Sequence, residues 1–546
     1  MSSGFNGFGD SGLVVADSSA VSSGSSGPDT KVLGMMYSDF PAGAVIDSAG
    51  VDAGTAAPSN AAALFGQSPQ ALPTGGPCLV EPEINAIYPD NWLRPRFRWV
   101  AASGENLFEL RVHVSNQQND LVVYTGSNGW TMPQALWDAL RGHSYDEAIT
   151  LTIRGGTVSG NALLGEAVGS SGAIGIAPVD APGSIVYWTT SKGTALEGFS
   201  VGDETVAPVL VPGQVQEFST QCIGCHNSTP DGDYASFSSA WSWDNGFASV
   251  TPPNTGVVPS WLGAAAQTTL QTGVLGIHTF SAAHWSPGDR IEVSGFDPQD
   301  DMDSELIWID LEAASTPASG ILQRTGDTRH AGAPSWSHDG TRIAYVSTDA
   351  NVDGRLDDGP ADIYVVPYNN RAGGQATALQ GADDATARDY YPAWSSDDRL
   401  IVFDKTASGS MYSSPGAEVY VVSSQGGTAT RLAANDPPAC TGQASPGVTN
   451  SWPKWAPAVA STSDGRTFYW VVFSSVRDPY TTDGSGNPQP FQVPQLYLSA
   501  VVVDSAGNLA TYGALYFWNQ PESEENHTPA WDYFTIPSST TTLAPK

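Results

Sequence analysis

A tryptophan-centred pattern that recurs from about residue 183 to 535 constrains the fold more than any other feature. It reads "AAHWSPGDRIEVSGF" around Trp285, "GAPSWSHDGTRIAYVST" around Trp336, "YYPAWSSDDRLIVFDK" around Trp394, "SWPKWAPAV" around Trp455 and "HTPAWDYF" around Trp531. The first four are each followed by a second apolar run: "ELIWIDL", "DIYVVPY", "EVYVVSS" and "QLYLSAV". Repetition at this spacing marks units that must stack, because none can bury its apolar face alone.

Each repeat reads as part of a four-stranded blade. Proline just before the tryptophan suits the first residue of a strand, where a missing donor does little harm. An Asp-Gly or Asp-Asp pair supplies a tight turn, since those residues tolerate positive φ. The tryptophan is large enough to pack between neighbouring blades. On these residues the chain resembles the TolB-type, WD40-like (PD40) propellers, whose blades carry a Pro-x-Trp-Ser-Pro-Asp-Gly consensus. Gly288-Asp289 inverts the turn, and Ala456-Pro457 stands after Trp455 in place of Ser-Pro. The resemblance implies an all-β, six-bladed β-propeller: one blade started at Ser228, four by Trp285, Trp336, Trp394 and Trp455, and one split. In the split blade "TPAWDYF" is expected to pair with "GSIVYWTTS" near residue 185 and close the ring. Seven blades are also compatible with the spacing.

Residues 77–180 read as a small β-sandwich ahead of the propeller at 181–546. "RPRFRWVAA", "LFELRVHVSN", "DLVVYTG" and "AITLTIRGG" alternate as half-buried strands do, and "MPQALWDALRG" has the spacing of one short helix. The layout resembles an immunoglobulin or fibronectin type III domain with Trp99 at its core. Residues 1–76, rich in Gly, Ser, Ala and Asp, are expected to form a flexible, disordered tether. That stretch resembles the segment after the lipidated cysteine of bacterial lipoproteins, so a lipid tether is expected, although no such cysteine stands in it.

Inside the repeats, "QCIGCHNSTPDG" (221–232) sets Cys-x-x-Cys-His against a Thr-Pro-Asp-Gly turn, with Ser228 at the place of the blade tryptophan. Cys222, Cys225 and His226 match the attachment signature of c-type haem: two thioether anchors and a proximal iron ligand. Loops entering the innermost strands of a propeller ring its channel mouth, which would put the haem over the axis. Three rivals stand beside this reading. A redox-active disulfide normally precedes a helix, and here a β-turn follows. A zinc site needs four ligands, and Cys78 and Cys440 are distant singles. A plain structural disulfide is the third. If the motif holds haem, Cys78 and Cys440 remain as an even pair that an oxidising compartment could join.

Haem needs a second axial ligand or an open site. His278, His330 and His527 each precede a blade tryptophan by a few residues. His278 is the expected ligand, because its blade follows the motif directly. His284 and His338 are expected in a strand and a turn, His113 and His143 in the sandwich, and Met302 and Met411 in loops between strands.

A second motif, "DANVDGRLDDGPAD" (349–362), sets Asp349, Asn351 and Asp353 at alternate positions before Gly354, with Asp357 and the Arg355 carbonyl as further donors. Hard cations take such oxygen ligands wrapped around one turn, and the pattern resembles the calcium loops of propellers. It differs from an EF-hand in having Pro360 at the twelfth place. "FDPQDDMDSE" (296–305) fills the matching loop of the preceding blade without a glycine bend.

A net charge of −34, with 22 Lys and Arg scattered along the chain, disfavours nucleic acid and anionic membrane surfaces as partners. No apolar run is long enough to span a bilayer. Gly-x-Ser-x-Gly, P-loop and His-Glu-x-x-His motifs are absent from the sequence, and hydrolase activity has no support. The expectation is a periplasmic or extracellular propeller carrying one haem c, with an electron-transfer or related redox role and a redox or envelope protein as partner. The alternative is a haem-free scaffold that binds protein or envelope partners. A haem enzyme such as a peroxidase would need an open distal position.

Overall fold

The alternation of "ITLTIR" is that of a strand with one face buried. Ile149, Leu151 and Ile153 are buried, and Thr150, Thr152 and Arg154 between them are less so. Their strand, Ile149–Ser159, pairs with Leu107–Val114 and Ala162–Ile176, and Leu121–Thr125, Val45–Ile46 and Ile87–Tyr88 complete a six-stranded sheet. Cys78–Glu81, Arg96–Val100 and Gly129–Thr131 form a second, three-stranded sheet. Trp99 is buried and meets Phe108 with ring centroids 5.4 Å apart. The helix Gln134–Ser144 buries Trp137, Leu140 and Ser144, spaced three and four residues apart on one face. The computed structural model describes residues 31–48, 56–66, 72–191, 193–215, 218, 220–240, 244–272, 274–297, 304–349, 359–409, 411–477, 481–482, 488–489 and 493–536.

Two pieces of the expected 1–76 tether are instead folded onto the sandwich. Val45–Ile46 adds a parallel strand to Leu121–Thr125. Phe40, Ala61 and Phe65 are buried, with Phe65 stacked on Tyr124 at 5.5 Å. A segment too poor in apolar residues to build a core can still dock a few of them on a sheet that already exposes an apolar face.

Beyond the sandwich, six strands line one axis among the described residues: Gly224–Ser228, Val274–Thr279, His330–Trp336, Arg388–Trp394, Ser451–Trp455 and Asn526–Asp532. Each touches the next, the last touches the first, and each pairs antiparallel with the next strand outward from the axis. The fold is a β-propeller. The C-terminal strand Asn526–Asp532 pairs with Ser184–Thr189, Trp531 opposite Ile185, so both ends of the propeller chain share one sheet.

The consensus residues have local work. Hydroxyls of Thr229, Ser337 and Ser395 donate to the carboxylates of Asp231, Asp339 and Asp397 at 2.5, 2.7 and 2.7 Å, and Thr462 does the same to Asp464. The first three close the turn directly after an inner strand, and the fourth closes the turn between Ala460–Ser461 and Thr467–Ser475. Trp394 and Trp455 donate their indole N–H to the carbonyls of Ser335 and Ala393 on the preceding inner strand, both at 2.9 Å, and so pin blade to blade. Trp285 departs from the expected role. Its inner strand ends at Thr279, and the 3-10 turn Ala282–His284 separates it from Trp285, which is only half-buried. The inserted turn explains why sequence spacing alone misplaced the blade.

The sandwich is bonded to the propeller. A disulfide joins Cys78 to Cys440. Arg477 Nη1 donates to Glu83 Oε1 at 2.6 Å, and Arg96 bridges Glu81 and Glu522. Trp92 packs against Phe517 and Trp531 with centroids 5.2 and 6.3 Å away.

Candidate functional site

Every inner strand kinks once. Ala333, Tyr391, Trp452 and Thr528 have φ of 45°, 50°, 57° and 47°, and each directly precedes a proline. The pairing register shifts at these places. Proline bars its predecessor from the helical region and offers no ladder donor, so an unpaired bulge position is where it fits. Cys225 and Ile277 occupy the corresponding kinks of the other two inner strands, with His226 and His278 where the others have proline.

The kink residues meet. Cys225, Ile277 and Met411 pack against a buried cluster that contains Ala333, Tyr390, Tyr391 and Trp452, and the Tyr391 and Trp452 rings stack at 3.8 Å. Tyr412 lies edge-on to Trp452 at 6.2 Å, and its hydroxyl is 3.1 Å from His527 Nδ1. His527 in turn packs on Trp188 at 4.5 Å. The same indole walls the motif, since a Cβ on Gly224 would lie 3.3 Å from it. The site is thus a Cys-x-x-Cys segment beside a cage of aromatic rings.

The structure places the expected site residues differently from the sequence reading. Cys225, His226 and His278 lie within inner strands; they do not stand in loops over the channel mouth. His226 is buried, with Nε2 3.3 Å from the Val186 carbonyl and Nδ1 unpartnered. His278 is 1% exposed, its Nδ1 2.9 Å from the Asn245 amide and its Nε2 enclosed without a partner. It faces the packed seam between two blades and does not share the aromatic cage. His330 Nδ1 accepts from the Ser304 amide at 3.2 Å, outside that cage. His113, His143, His284 and His338 are held by Asp120, Asp39, Asp289 and Asp398. Asp349 is exposed, and Asn351, Asp353, Arg355 and Asp357 lie outside the described residues, as do Met302 and most of the 296–305 loop.

Burial sets the protonation states. It holds the His226 imidazole down to about 3, and His278 and His527 down to about 4, so all three are neutral at physiological pH, the form that ligates metals. Burial pushes the Cys225 thiol up to about 12 and raises that of Cys222 as well. A thiol held protonated is the reverse of an activated redox dithiol. Lys454, on the inner strand before the closing one, is held down to about 8 by burial. Both motif cysteines are free of disulfides. Among the described residues no three His, Cys, Asp or Glu side chains come together to hold a metal ion by themselves.

Tested against a covalent haem, the two thiols and the aromatic wall fit: the sulfurs are unspent, and flat rings pack well on a flat macrocycle. His226 fits only after its Nε2 leaves the Val186 carbonyl. The rings of Trp188, Tyr391, Tyr412 and Trp452 were missed from the sequence as site residues. Two of them carry a signal there, the bulky residue ahead of proline in "YYPAW" and "SWPKW".

No protein-family model matches the chain. No curated protein matches it either. Among solved structures it is similar to a TolB protein from Agrobacterium tumefaciens, at 16% identity over 65% of this chain and 100% of that one, with a TM-score of 0.32. It is also similar to prolyl endopeptidases, at 13% identity over 61% of this chain and 48% of that one, TM-score 0.32. Kuenenia stuttgartiensis hydrazine synthase matches at 10% identity over 58% of this chain and 89% of that one, TM-score 0.30. At these scores the likenesses carry no functional argument, and the propeller rests on the closed ring of strands.

Proposed function

We propose that the protein is an extracytoplasmic propeller that carries one covalent c-type haem on Cys222 and Cys225 and serves electron transfer. The observation that carries this reading is the pairing of cysteines. Cys78 and Cys440 are joined to each other, which leaves the Cys-x-x-Cys-His pair unspent beside a cage of aromatic rings. Cys222 and Cys225 would hold the haem through thioether bonds beside Trp188, Tyr391 and Trp452, and its iron would supply a one-electron couple. The disulfide supports an oxidising compartment, and no helix of the described residues is long and apolar enough to cross a membrane. A redox or envelope protein is the partner this reading implies, and the lipid tether and the calcium loop belong to it as further proposals.

The second reading is a haem-free scaffold that binds protein or envelope partners. The packing of the half-buried Cys225 against the kink cluster favours it, because a haem on that thiol would have to displace the contact. Expression with and without a c-type maturation system, followed by haem staining of the denatured protein, separates the two.

A further inference from the structure

We infer that His527 is an axial ligand of the haem iron in place of the sequence-favoured His278, an assignment that rests on the haem reading above. Three observations carry it. His527 shares its neighbours with the motif: Trp188 packs tilted on its ring at 4.5 Å and also stands against Gly224, between the two motif cysteines. Its strand, Asn526–Asp532, touches the motif strand Gly224–Ser228 where the propeller ring closes. Tyr412, whose ring lies edge-on to the Trp452 that packs with Cys225, holds His527 Nδ1 at 3.1 Å.

That last contact has chemical content. A ligating imidazole generally donates its other N–H to an outer partner, which fixes the tautomer and the ring plane. When Nδ1–H donates to the tyrosine oxygen, the lone pair sits on Nε2, which has no hydrogen-bond partner among the described residues. His278 offers the opposite: its carbonyl accepts from the Asn227 amide, its Nδ1 faces Asn245, and its Nε2 is sealed in the blade seam. His226 Nε2, 3.3 Å from the Val186 carbonyl, is the other axial ligand once that contact is released. Met411 also packs beside Cys225 and is the competing ligand on the same side.

The test uses the full chain expressed with haem maturation. Wild type is expected to be low-spin, and His527→Ala to lose the low-spin optical and EPR signature and regain it with added imidazole. His278→Ala and Met411→Ala are expected to keep the wild-type spectrum. Tyr412→Phe, which removes only a hydroxyl, is expected to stay low-spin with a shifted midpoint potential. A low-spin His527→Ala protein, a high-spin wild type, or a Tyr412→Phe protein with unchanged potential would overturn the assignment while pigment persisted. Wild type without covalent pigment would overturn the haem reading itself, and the assignment with it.

Discussion

Arg477 Nη1 donates to Glu83 Oε1 at 2.6 Å across the seam between propeller and sandwich, with only 1% and 7% of the two side chains exposed. Burial raises the Glu83 carboxyl against the pull of Arg477, so the pair holds only as long as both partners are present. Removing one charge strands the other in a dry interface at a cost of about 3–5 kcal/mol. Glu83→Gln should therefore lower stability by roughly that amount. Calorimetry should show sandwich and propeller melting in one transition; two separate transitions would mean that the seam does not couple them.

The Cys78–Cys440 disulfide spans 362 residues of sequence on that same seam. Closing so long a loop restricts the unfolded chain, and native bridges typically contribute about 2–5 kcal/mol. The Cys78→Ser/Cys440→Ser protein should be less stable by that order in urea, with the fold retained by the ion pairs and by Trp92.

Glu292 is wholly buried, and among the described residues neither carboxyl oxygen makes a close hydrogen bond. Burial pushes it up to about 8, slightly offset by the Ser236 hydroxyl, from an ordinary value of 4.5. The folded state therefore keeps a proton that the unfolded chain has released. The stabilisation this gives is full below pH 4.5 and is lost as pH rises through about 8. Glu292→Gln keeps the shape without the ionisation, so it should be more stable than wild type at pH 9, by an amount on the order of a few kcal/mol, and close to it at pH 5. Asp389, also raised by burial to about 8, leaves part of the alkaline decline in the variant. On the acid side His226, His278 and His527 act in the other sense: their folded values lie below the ordinary 6.5, so stability falls as pH drops from there toward 3 to 4. Equal pH profiles for wild type and Glu292→Gln would contradict the assignment of the alkaline loss.

Calcium at the 349–362 loop would stabilise the folded state by mass action. Chelator should lower the melting temperature, restored Ca²⁺ should raise it, and Asp353→Ala should abolish the difference. An unchanged melting curve in chelator would remove the site.

The ring of strands was legible because it is written several times over. Trp336, Trp394, Trp455 and Trp531 each close an inner strand, and one blade misread at Trp285 does not disturb the pattern. The split blade was legible for the same reason: "TPAWDYF" carries half a repeat and "GSIVYW" the strand that completes it. The docking of Phe40 and Phe65 was not legible, since two aromatic residues in a polar segment give no periodicity, and only the sheet they land on makes them core. The motif cysteines were plain in the sequence, but their setting was not. A register shift between Gly224 and His226 decides which way each side chain points, and such kinks depend on neighbouring blades. Tyr412 and His527 are 115 residues apart, and no local pattern could have paired them.

The most direct test of the account is the mass and colour of the denatured protein after expression with a c-type maturation system. Wild type should gain the mass of one haem and stay pigmented through denaturation, and the Cys222→Ala/Cys225→Ala protein should lose the pigment while keeping its β-rich circular dichroism. Wild type that folds with the unmodified mass and no pigment under those conditions would contradict the account and leave the haem-free scaffold.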